Sequence, residues 1–114
     1  MAITRHQSGP RLSQAVVHGN TVYVAGQVSG DAQAVKGQTE QILKKIDGLL
    51  ALAGTNKSKL LSSTVYLASM STYDEMNAAW EAWVDPANTP ARATVQATLA
   101  SPKYLVEIAA IAAI

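Results

Sequence analysis

The chain has 114 residues, of which 48% are hydrophobic and only 15% charged, with a formal net charge of +1 and no cysteine. That length points to one domain, residues 1–114, large enough to bury a core, while the missing cysteines exclude disulfides, thiolate metal sites and a cysteine nucleophile. His6 and His18 are too few for a metal cluster, the scattered lysines form no basic stripe for nucleic acid, and so little charge for so small a surface favours an oligomer.

Met1 to His6 is not followed by an apolar signal-peptide core, and Glu107 interrupts the C-terminal apolar run before it reaches membrane-spanning length. A cytoplasmic protein with no membrane partner is expected. Val16 to Val24 predicts a β-hairpin, because two β-rich runs flank Gly19-Asn20. Gly26 then interrupts the second strand, which marks a bulge or a close approach of backbone to another group.

From about Ala32 to Ala53, Val35, Ile42, Leu43, Ile46, Leu49 and Leu50 follow a helical stripe, and Gly54 is placed to end it. Leu60 to Ala68 is a strand by composition. Thr72 and Glu75 have the spacing of a capping box, opening a second helix whose stripe is Tyr73, Met76, Asn77, Trp80, Trp83 and Val84; the tryptophans read as core. Two last strands, about Ala91–Leu99 and Tyr104–Ile114, are joined by the short turn at Pro102 and read as a closing hairpin.

The order hairpin, helix, strand, helix, hairpin lets each helix return the chain for parallel pairing, with both helices on one sheet face. The last strand is apolar on both sides: Val106, Ile108, Ala110, Ala112 and Ile114 on one, Leu105, Ala109, Ile111 and Ala113 on the other. One side packs on the helices, and the other calls for a second subunit.

Each of the two final strands carries a strong charge among apolar residues, Arg92 in Ala91–Val95 and Glu107 in Leu105–Ala109. A charge taken out of water needs a partner. The plain explanations are a structural Arg–Glu pair or separate charges on edge strands. The functional one is a small carboxylate ligand, gripped bidentately by Arg92, with Glu107 taking a proton from an attacking water. No metal-ligand cluster, phosphate loop or serine-nucleophile motif supplies other chemistry, so electrophilicity would have to come from the substrate. Whether the two side chains share a face depends on one residue of strand register, which the sequence leaves open.

Val22–Val28, the helix from Gln38 to Gly54, Met76-Asn77-Ala78-Ala79-Trp80, Pro90–Val95 and Val106-Glu107-Ile108, with the spacing of the last two motifs, resemble the RidA/YjgF family of reactive-intermediate deaminases, also labelled endoribonuclease L-PSP or translation inhibitor. The resemblance covers nearly the whole chain. It implies an α+β, chorismate-mutase-like fold assembled as a homotrimer with clefts between subunits, no cofactor, and hydrolysis of a 2-imino or 2-enamino acid such as 2-aminoacrylate to a 2-keto acid and ammonia. Arg92 would hold the substrate carboxylate and Glu107 would direct water, these two being the catalytic residues; Thr94 and Gly26 would help bind substrate through nearby backbone amides.

The chain departs from the best-known members at Thr94, where a cysteine is common, at Ala25 in place of serine, and at Leu12 in place of an N-terminal aromatic. With Arg11-Leu12-Ser13 near its start it looks like a divergent short subgroup, and these departures bear on substrate identity more than on reaction type. Two other functions are set against deamination: a non-catalytic trimeric sensor of small carboxylates, and the ribonuclease of the older label, which the absence of a basic stripe disfavours.

Overall fold

The strand that is apolar on both sides takes the centre of the sheet. In the computed structural model, which describes residues 1–114, the chain forms β1 (Ile3–Ser8), β2 (Ser13–His18), β3 (Thr21–Gln27), α1 (Val35–Leu52), β4 (Leu60–Leu67), α2 (Tyr73–Trp83), β5 (Ala91–Gln96) and β6 (Val106–Ala113). The six strands lie in the order β1-β2-β3-β6-β4-β5. β6 pairs antiparallel with β3 on one edge and with β4 on the other, and β5 pairs parallel with β4.

The first hairpin is as expected, with His18 opposite Thr21 around Gly19-Asn20. The closing hairpin does not form. β4 lies between β5 and β6, and the turn at Pro102 leads from one to the other across its end, where Ala97 N–H donates to Leu67 O and Ala68 N–H donates to Leu105 O. Burial explains the exchange. β6 alternates between fully buried and half-buried residues and gains from neighbours on both edges, whereas β5 is exposed at every second position and tolerates the edge. β5 also stops at Gln96 rather than Leu99. β1, an additional strand on β2, gave no sequence signal because five of its six residues are exposed and none is buried, which leaves no alternation to read.

Both helices cover one face. Val22, Val24, Val65, Leu67, Val106, Ile108, Ala110 and Ala112 meet Ile42, Leu43, Ile46, Leu49 and Leu50 of α1 and Met76 and Trp80 of α2 in one continuous core. Gly54, with φ of 89°, ends α1 as expected: its N–H bonds to Ala51 O and that of Thr55 to Leu50 O, which satisfies the last carbonyls. The opposite sheet face carries Glu107, Ala109, Ile111 and Ala113 of β6 half-buried and Tyr23 of β3 48% exposed, and nothing in the chain covers it.

The capping box at Thr72 and Glu75 is replaced by a contact between helices. Thr72 Oγ1 donates to Ser69 O, while Glu75 Oε2 accepts the Lys36 N–H at the start of α1, a helix whose own N-cap, Ala34, has no side chain to do so. A carboxylate at that end also meets the positive pole of the helix dipole. Trp83 Nε1 donates to Asp47 Oδ2 at 2.9 Å, a second tie between the helices. Beyond α2, Asp85 accepts from Asn88 Nδ2, Ser58 Oγ and the Ala87 N–H, bonds that hold its carboxyl below the usual carboxylate range and fix the loop entering β5.

Glu75→Ala removes the cap of a helix to which Glu75 does not belong. It should destabilise the protein by about 1 kcal/mol, the usual loss for an N-cap, read as a lower urea midpoint with unchanged m-value; an unchanged midpoint would mean that water replaces the carboxylate without loss.

Candidate functional site

The strand order divides the expected site residues into two pairs. Arg92 lies opposite Ser63 of β4, and Ser63 lies opposite Ala110 of β6; all three belong to the helix-covered side, where Ser63 and Ala110 are buried. Glu107 lies opposite Tyr66, three residues further along, and alternation puts both on the uncovered face. Two strand spacings and three residues of offset separate the Arg92 and Glu107 backbones by roughly 14 Å, with the side chains on opposite faces. The open question of register is thus answered, and a structural Arg–Glu pair within one chain is ruled out.

Arg92 rests on aromatic and sulfur groups of α2. Its guanidinium carbon stands 5.1 Å from the Trp80 ring centroid and 5.9 Å from that of Tyr73, with Nη2 3.4 Å from Tyr73 Oη and Nη1 3.9 Å from Met76 Sδ. None of these partners is acidic. The β4–α2–β5 crossover between parallel neighbours is what lays this helix face beside β5. Tyr73, Met76 and Trp80 were legible as a helical stripe but not as the surroundings of Arg92, because that requires knowing which strand the helix flanks.

Thr94, two residues on, shares the Arg92 face and is half-buried, with a hydroxyl that is fully buried and has no hydrogen-bond partner. Backbone groups alternate sides along a strand, and Ala97 N–H points to β4, so the N–H and C=O groups of Arg92, Thr94 and Gln96 turn towards the free edge of the sheet. Arginine and free amides together make an edge suited to an anion.

The other pair meets on the uncovered face. β3 bulges between Val24 and Gln27, where Ala25 and Gly26 stand against the single residue Ala109, and the Glu107 carboxylate lies directly over Gly26. A Cβ on Gly26 would overlap Glu107 Oε2 and come within 2.9 Å of its Cδ. Both readings of this glycine therefore hold, as a bulge and as a close approach. Gln27, on the far side of the bulge, is buried and donates to Gln14 Oε1 and Ala25 O, which holds the distorted strand in place. No three carboxylate or imidazole side chains converge in the chain to make a metal-binding set.

A mixed six-stranded sheet with two helices on one face, Arg92 of β5 on the covered side and Glu107 of β6 on the other, defines an α+β class of protein with many solved members. The model of the family described as Endoribonuclease L-PSP matches residues 3–114. The chain is 46% identical over 113 residues to a RutC family protein of Haemophilus ducreyi, covering 98% of this chain and 97% of the relative, and 44% identical over 115 residues to the RutC family protein YoaB of Escherichia coli, covering all of both. Among solved structures, a YjgF family protein from Neisseria meningitidis superposes with a TM-score of 0.98 at 39% identity over 99% of this chain and 95% of that one. The chain belongs to this RutC/YjgF/L-PSP family.

Gly26→Ala tests the close approach. The bulge backbone accepts alanine, since Gly26 does not take positive φ, and the overlap falls on the end of a flexible side chain. The variant should remain folded with its thermal midpoint lowered by only a few degrees, while a crystal structure shows the Glu107 carboxylate swung off the bulge. A carboxylate in its original place would contradict the contact.

Proposed function

We propose that the protein hydrolyses 2-imino and 2-enamino acids to 2-keto acids and ammonia. The observation that carries this reading is the Arg92 guanidinium, half-buried on aromatic faces with no acidic partner in its own chain. No acid of the chain occupies it, and its planar fork matches a carboxylate. Family membership supports the reading, and the amides of Arg92 and Thr94 at the free edge supply further donors.

Glu107 is the base. As the water oxygen bonds to the imine carbon, Glu107 accepts a water proton and the C=N electron pair moves to nitrogen, which takes that proton from Glu107 to give the neutral tetrahedral carbinolamine. On collapse Glu107 takes the hydroxyl proton, the C=O bond forms as the C–N bond breaks, and the leaving nitrogen accepts that proton and departs as ammonia, leaving the keto acid and the ionised Glu107. An enamino acid reaches the same point after tautomerising to the imine. General-base assistance of this kind contributes typically about 10²–10⁴-fold.

Because Arg92 and Glu107 point to opposite faces of one sheet, the site is read as shared between copies in a homotrimer, Arg92 from one and the Glu107–Gly26 pair from the next. The uncovered apolar face supports such an assembly. Thr94 and Ala25 leave the cleft with a hydroxyl and a methyl group and bear on which imino acid is preferred.

With 2-iminopropanoate generated in place by an amino-acid oxidase, the wild type should accelerate keto-acid release. Arg92→Ala and Glu107→Gln should each lose about 100-fold or more in kcat/KM, the scale of a charge-assisted bond or a positioned base. Wild-type rates no faster than buffer, together with measurable binding of 2-oxobutanoate, would instead favour a sensor of small carboxylates.

A further inference from the structure

Arginine at a carboxylate site is commonly aimed by a neighbouring acid, which also offsets part of its charge. Arg92 has none. The guanidinium is placed by Trp80, which is 7% exposed and fixed in the core, by Tyr73, which is 40% exposed, and by the Met76 sulfur. Trp80 and Tyr73 are seven residues apart on one face of α2, with Met76 between them, so the three side chains form a row along which the arginine lies. Aromatic faces attract the cation through their quadrupole without neutralising it. The one contact to oxygen is the Tyr73 hydroxyl, 3.4 Å from Nη2, at the long limit of a hydrogen bond.

We propose that Tyr73 and Trp80 are positioning residues that aim Arg92 through cation–π contacts while leaving its full charge for the substrate carboxylate. The function of this arrangement rests on the deaminase reading above; the arrangement itself does not. Tyr73 is the residue that can be tested cleanly, because it is partly exposed and outside the continuous core, whereas replacing Trp80 would open a cavity. Its ring contributes a cation–π contact and its hydroxyl a weak bond, so leucine removes both and phenylalanine only the second.

Two measurements on wild type, Tyr73→Leu and Tyr73→Phe separate placement from catalysis. In ¹⁵N-arginine-labelled protein, the Arg92 Nε–H resonance, assigned by its loss in Arg92→Lys, should stand upfield in the wild type under the aromatic ring currents. It should move towards the position of free arginine in Tyr73→Leu and only part of the way in Tyr73→Phe. In steady-state assays with 2-iminobutanoate made in place, Tyr73→Leu should raise KM about fivefold with kcat little changed, the pattern of lost uniform binding, and Tyr73→Phe should recover most of that loss. A Tyr73→Leu protein with wild-type resonance and KM overturns the proposal, as does a fall in kcat at unchanged KM. If the resonances behave as stated but the wild type turns over no imine, the positioning stands and the deaminase reading falls.

Discussion

The structure turns on the place of β6. A strand apolar on both faces is most stable between two neighbours, and here it lies between β3 and β4, with its inner residues against the helices and its outer ones half-buried. That leaves β5 to pair with β4 alone, at the edge. Two consequences follow from one preference: the last two strands are not hairpin partners, and their charged residues are carried to opposite sides of the sheet. The free edge of β5 carries Arg92 and Thr94, whose buried hydroxyl has no partner, and the uncovered face of β6 carries Glu107.

The electrostatics of each half follow from local packing. Arg92 cannot point into solvent freely because α2 crosses beside β5 and lays Tyr73, Met76 and Trp80 against it. Glu107 cannot relax inward because its face is the one away from the helices, and the bulge in β3 leaves room for its carboxylate only while residue 26 lacks a side chain. The bulge and the crossover are features of backbone geometry, yet they determine which atoms surround each charge. Neither group has an opposite charge beside it in its own chain, which leaves each free to meet a ligand or another copy.

Much of this was legible in the residues. The alternation of β6, the stripe of α1, its termination at Gly54 and the turn at Gly19-Asn20 each have a local cause, and local causes are what a sequence displays. Arg92 and Glu107 stood out for the same reason, as charges in apolar runs. What escaped depended on partners distant in the chain. The pairing of β5 is not legible locally, because a short connection at Pro102 is compatible with a hairpin or with a step across an intervening strand. Thr72 and Glu75 have capping-box spacing, but Glu75 serves α1, whose N-terminus is brought to it only by the packing of the helices. Tyr73 and Trp80 were visible as a helix face, and only the crossover reveals that the face holds an arginine.

A site built from Arg92 of one copy and Glu107 of another can be tested by complementation. Arg92→Ala and Glu107→Ala proteins, each inactive, are unfolded together in equal amounts, refolded, and assayed for 2-iminopropanoate hydrolysis beside a wild-type sample treated in the same way. In a closed ring of identical interfaces, random mixing should rebuild about a quarter of the sites with both residues intact and restore about that share of the activity. Recovery of wild-type activity alone, with the mixture as inactive as its components, would contradict a shared site.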